Sequence, residues 1–120
     1  MGNFSVSELL KGLSDSVPDE TRKYLEENKD FLEELGKKRV AELMHYVTNG
    51  DKDEAGILIY QEMLHKLSDE DFLNIKKHNI EGLRKEVELK EKRKKLVEGL
   101  FSKIGKIAGQ LLLNQIIFLL

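Results

Sequence analysis

Two glutamates and two histidines repeat one spacing in this chain, Glu42-Leu43-Met44-His45 and Glu62-Met63-Leu64-His65. Three positions apart on a helix, a glutamate and a histidine share a face, so a carboxylate oxygen and an imidazole nitrogen can reach one metal ion. If the two segments form a helical hairpin turning near Asp51, Glu42 and Glu62 come to nearly the same height. Their histidines then flank them on opposite sides, as a bridged pair of iron or zinc ions would require.

Over these eight residues the doubled Glu-x-x-His spacing resembles the ferritin-like di-iron carboxylate signature. The resemblance implies single glutamates from two further helices; Glu26, Glu27, Glu33 and Glu34 are available, and the pattern selects none of them. Helical projection supplies the competing reading. Val40, Leu43, Met44 and Val47 define one apolar face, with Glu42 and His45 opposite. Glu62 and His65 lie opposite Ile57, Tyr60, Leu64 and Leu67 in the same way. On that reading both pairs belong to solvated faces of a chain with 22 acidic residues.

Other chemistries find less support. The absence of cysteine excludes disulfides and thiolate metal sites. No Gly-x-Ser-x-Gly elbow is present, and Gly105-x-x-x-Gly109 is not a phosphate loop. The run Arg84, Lys85, Lys90, Lys92, Arg93, Lys94 and Lys95 is interleaved with Glu86, Glu88 and Glu91 and carries no aromatic for base stacking. It reads as a salt-bridged helix face, and nucleic acid is not an expected partner. Catalysis is left undecided, with a non-enzymatic role favoured and no cofactor expected other than the iron or zinc alternative.

The elements that position these residues are helical throughout. Ser5-x-x-Glu8 has the form of a capping box ahead of Leu9, Leu10 and Leu13. Pro18, with Asp19 and Glu20 behind it, suits the first turn of a second helix. Apolar residues from Tyr24 to Val47 then recur every three or four positions, which predicts one long helix with Asn28-Lys29-Asp30 or Gly36 as break points. Gly50 marks a stop. A third helix is predicted over about 53–67 with Ile57, Tyr60, Met63, Leu64 and Leu67 inward. Ser68 opens another, interrupted at His78-Asn79, before a final helix begins near Ile80.

Charge divides the chain. Residues 1–75 carry nine basic and seventeen acidic side chains, and residues 76–120 carry eleven and five, so a net charge of −2 conceals −8 against +6. The basic half is expected to meet an anionic partner. Projected as one helix, residues 83–112 place Lys85, Lys92, Lys95, Lys103 and Lys106 on a basic stripe. Leu83, Val87, Val97, Leu100, Phe101, Ile104, Ala108 and Leu111 form the apolar side. From Leu111 onward the apolar residues point all round. Eight of them, at about 1.5–3 kcal/mol each on burial, rival the whole net stability of a domain, about 5–15 kcal/mol. They need a cover.

The sequence therefore predicts an all-α protein: a small acidic helical bundle or hairpin over 1–80, and a long amphipathic-to-apolar C-terminal helix over 81–120. The expected role is a non-enzymatic structural or interaction protein that self-assembles, as a homo-oligomer or part of a larger assembly, or docks through the C-terminal helix. The residues expected at that interface are Leu100, Phe101, Ile104, Ile107, Leu111, Leu112, Ile116, Ile117, Phe118, Leu119 and Leu120. Two alternatives stand beside it: association of the basic helix with an anionic membrane surface, and metal binding through Glu42, His45, Glu62 and His65. The uncharged stretch 107–120 falls short of the roughly 20 residues that cross a bilayer. Residues 1–13 lack the basic start and apolar run of a cleavable signal peptide. A cytoplasmic or assembly-associated location is expected, with peripheral membrane contact as the alternative.

Overall fold

Ser5 and Ser68, the two capping side chains expected from the sequence, each open a helix. A computed structural model describes residues 4–119. Ser5 Oγ accepts the Glu8 N–H at 3.3 Å where α1 (Val6–Leu13) begins. The free N–H of Val6 is taken by Glu33 Oε2 at 2.9 Å, so a distant acid completes the cap. A 3-10 turn (Ser14–Ser16) leads to extended Pro18 and α2 (Asp19–Glu27). The long second helix breaks at both candidate points. Asn28, whose side chain donates to the Tyr24 carbonyl at 2.9 Å, separates α2 from α3 (Lys29–Leu35), and Gly36 separates α3 from α4 (Lys37–Asn49). After Gly50, α5 spans Lys52–His65. Ser68 Oγ accepts the Asp71 N–H at 3.1 Å to open α6 (Asp69–Lys77). Asn79 Oδ1 accepts the Gly82 N–H at 2.8 Å to open α7 (Ile80–Gly99).

The C-terminal helical run covers 40 residues, and it turns a corner. A π-helical turn, Leu100–Ile104, follows α7, and Gly105 then adopts φ 71, ψ −176 before α8 (Gly105–Leu119). Only glycine takes that conformation without strain. A corner leaves carbonyls without helical partners, and α2 supplies donors. Thr21, the one buried polar side chain among the described residues, donates its hydroxyl to the Lys103 carbonyl at 2.5 Å. Tyr24 donates to the Leu96 carbonyl at 2.9 Å, as a second donor beside the Leu100 N–H that this carbonyl already accepts. Burial pushes the Tyr24 phenol pKa up, which keeps it a donor.

The corner lets α7 and α8 serve different neighbours. α8 runs antiparallel to α4: Gly109 packs on Val47 and Thr48, and Lys37 Nζ at the other end donates to the Leu119 carbonyl at 3.3 Å. α1 also packs on α8. α7 lies along α5, with Gly56 against Arg93 and Val97, and α6 folds back on α7. One apolar core joins these elements, with Leu9, Leu25, Leu43, Met44, Ile59, Leu100, Leu112 and Ile116 fully buried. A radius of gyration of 15.3 Å exceeds the roughly 13.6 Å expected for 120 residues. The excess is in keeping with α6, which buries no residue and leans on α7.

Two predicted faces are corrected. Ile57, expected inward, is 49% exposed, and α5 instead buries Ala55, Leu58, Ile59 and Met63. This helix touches α4 on one side and α7 on another, so its apolar residues spread around the axis and the projection has no sharp face. On α7, Leu83 and Val87 are exposed while Gly82 and Leu89 are buried. The projection assumed an unbroken helix from 83 to 112. The π-turn and Gly105 shift the phase between the two ends.

Candidate functional site

The two glutamates of the Glu-x-x-His pairs converge on an arginine. Arg39 Nη1 lies 3.4 Å from Glu42 Oε2 and Arg39 Nε lies 3.4 Å from Glu62 Oε1, so one guanidinium joins α4 to α5. Glu42 and Glu62 are thus brought together, as equal height across the hairpin anticipates. The histidines look elsewhere. His45 Nε2 is 3.1 Å from Asn49 Nδ2, and His65 lines a separate surface hollow with Gln61, Leu64 and Phe72. Among the described residues no three Asp, Glu or His side chains are grouped to hold a metal ion. Sequence reasoning passed over Arg39; its i, i+3 spacing to Glu42 was the available signal.

The expected C-terminal interface is split by the fold. Leu100, Ile104, Leu112 and Ile116 are buried in the chain's own core, with Phe101 and Leu111 packed at its margin and Leu119 half-buried. Leu120 lies outside the described residues. What remains is an outward stripe on α8. Ile107 is 81% exposed, Phe118 82% and Ile117 56%. At 100° per residue Ile107, Leu111, Asn114 and Phe118 line up along the helix, with Gln110 and Ile117 beside them. Gln110 Nε2 donates to Asn114 Oδ1 at 2.9 Å, so the two amides on the stripe partly satisfy one another. At its N-terminal end the stripe borders a hollow of about 400 Å³ between Thr48 of α4 and Lys106, Ile107, Gln110 and Leu111. No charged residue occurs from Ile107 to Leu119.

The basic stripe is largely neutralised by the fold. Lys103 pairs with Glu20 at 2.9 Å, across from α2. Lys85 meets Glu88 at 3.5 Å and Asp71 at 3.9 Å, and Lys92 meets Glu88 at 3.2 Å. Hydrogen bonding from Lys92, reinforced by the charges of Lys85 and Lys92, holds the Glu88 carboxyl below its ordinary pKa. Lys95 and Lys106 make no ion pair within 4 Å among the described residues, and only Lys106 adjoins the α8 stripe. Among the described residues no helix is long and apolar enough to cross a membrane. Compared with known protein families, with curated proteins and with solved structures, the chain gives no match.

Proposed function

We propose that the protein is a helical interaction module whose work is binding rather than catalysis, and that it pairs with a second copy of itself through the outer stripe of α8. The observation that carries this reading is the uncharged row of exposed Ile107, half-buried Leu111 and exposed Phe118, flanked by exposed Ile117, on a helix whose other side is already committed to the core. Scattered exposed apolar residues are ordinary, but a continuous row on one helix marks a contact surface.

Charge favours a second copy as the occupant. A two-fold contact sets the same patch against itself, so any charge on it would face its own kind near the axis. This stripe has none. Antiparallel pairing sets Ile107 against Phe118 of the partner and Leu111 against Asn114 of the partner. It also sets Lys106 against the C-terminal end of the other α8, where helix carbonyls carry partial negative charge. A lipid surface is the weaker reading, because Lys85, Lys92 and Lys103 are already ion-paired and anionic membranes are held by clusters of free basic side chains.

Light scattering over protein concentrations of about 10–500 µM tests the reading, since a fifteen-residue helix face is small and micromolar affinity is expected. The mass should rise from 13.8 kDa towards twice that value. A variant combining Ile107→Lys and Phe118→Lys should stay at 13.8 kDa throughout with unchanged helicity. A chain that remains monomeric but floats with phosphatidylglycerol vesicles would assign the stripe to lipid and overturn the pairing.

A further inference from the structure

Between α2 and α3 on one side and α5 and α7 on the other lies an open groove of about 650 Å³. Its size is within the range of small-molecule sites, about 300–1,000 Å³. Phe31, Met63, Leu67, Leu89 and Leu96 supply its apolar surface, with Phe31, Leu67 and Leu96 only partly covered by the chain's own packing. The side of the Tyr24 ring adds to the wall, its hydroxyl already spent on the Leu96 carbonyl.

The rim is divided by charge. Lys92 and Lys95, one turn apart on α7, form one edge, and Glu27 and Glu34 of α2 and α3 belong to the other. Lys66 of the α5 end bonds Glu34 and lies 4.9 Å over the Phe31 ring, which removes Glu34 as a free anion. Lys92 leans on Glu88, outside the groove, at 3.2 Å. Lys95 has no carboxylate partner among the described residues, so the α7 side of the groove lining keeps an uncompensated ammonium.

We propose that this groove binds a single-chain carboxylate amphiphile, such as a long-chain fatty acid. The hydrocarbon lies along Phe31, Met63, Leu67 and Leu89, and the carboxylate is held by Lys95 with Lys92 beside it. Apolar area removed from water supplies the affinity, and the charge-assisted contact to ammonium sets the direction in which the chain enters. Glu27 on the opposite edge selects a head of one negative charge over one of two, because each added negative charge is repelled across the opening. The groove shares no residue with the α8 stripe.

The probe is cis-parinaric acid, a fatty acid that fluoresces when its chain leaves water, titrated into the full chain below its micelle concentration. Saturable binding at one site per chain is expected, with displacement by palmitate. Lys92→Gln combined with Lys95→Gln should weaken palmitate about fivefold while leaving hexadecanol within about twofold. Glu27→Gln should tighten palmitate by about twofold, an opposite sign that general loss of structure cannot imitate. Leu67→Trp, which adds bulk at a position lining the groove, should abolish binding of acid and alcohol alike. Absence of saturable binding, or binding indifferent to the lysine pair and to Leu67→Trp, would overturn the assignment. Binding lost in Phe118→Lys but kept in these variants would place the amphiphile on α8 and overturn it equally.

Discussion

Replacing Leu112 with alanine is expected to lower the free energy of unfolding by about 2–5 kcal/mol, whereas Phe118→Ala should change it by less than about 0.5 kcal/mol. Both are large apolar residues of the same helix, six positions apart. Leu112 is fully buried and belongs to the common core, while Phe118 is 82% exposed. Truncating Leu112 leaves a cavity that a close-packed interior cannot fully close. Truncating Phe118 removes a side chain that makes little use of the fold. Urea unfolding followed by circular dichroism at low protein concentration, where pairing is absent, separates the two. Similar costs at both positions would mean that α8 is not divided into an inner and an outer face.

The second large effect is expected at Gly82, and its sign is the informative part. Glycine to alanine inside a helix normally stabilises by about 1 kcal/mol. At Gly82 an added Cβ would stand 1.9 Å from the Asn74 carbonyl oxygen and 2.6 Å from the Ile75 nitrogen. These are backbone atoms of α6 and cannot swing aside. Gly82→Ala should therefore destabilise by about 1–3 kcal/mol and release α6 from α7, exposing the α6 amides to hydrogen exchange. Gly56→Ala is the matched control. Its Cβ would meet Arg93 at an ordinary 3.7 Å, so that substitution should be neutral or stabilising. Equal behaviour of the two variants would show that α6 does not approach α7 through Gly82.

Capping chemistry and punctuation made most of this architecture legible. Ser5, Pro18, Gly50, Ser68 and the His78-Asn79 step act locally, through hydrogen bonds and dihedral preferences that span a few residues. They read true without knowledge of the tertiary structure. Which face a helix buries is a different kind of property. On α4, which presents one side to its neighbours, Val40, Leu43, Met44 and Val47 were correctly inward. On α5, wedged between α4 and α7, and on α7, next to the π-turn, the same projection failed for Ile57, Leu83 and Val87. Gly105 stands out in the sequence only through its four-residue spacing from Gly109. Nothing in the sequence around it announced a corner, because a positive φ is a choice glycine permits rather than one it demands.

The functional residues divide along the same line. The apolar excess of the last helix was plain from composition, but its apportioning between core and surface depends on where α4 and α1 lie. Leu112 and Ile116 went inward; Ile107, Ile117 and Phe118 did not. The height of Glu42 against Glu62 followed from the turn at Asp51, yet the guanidinium of Arg39 between them could be located only with the two helices in place. The groove beside Lys95 is built from four helices and is not written in any one segment.

The most direct test of pairing through α8 uses the absence of native cysteine, which makes any introduced thiol unique. Chains carrying Leu111→Cys and chains carrying Asn114→Cys are mixed and oxidised, with the exposed position Ile80→Cys on α7 as control. A disulfide needs Cα atoms within about 7 Å, which antiparallel pairing about the centre of the stripe provides for 111 against 114. Antiparallel pairing predicts rapid formation of the mixed 111–114 cross-linked dimer and slow cross-linking of the control. Cross-linking of the mixed pair no faster than that of the Ile80→Cys control would contradict it.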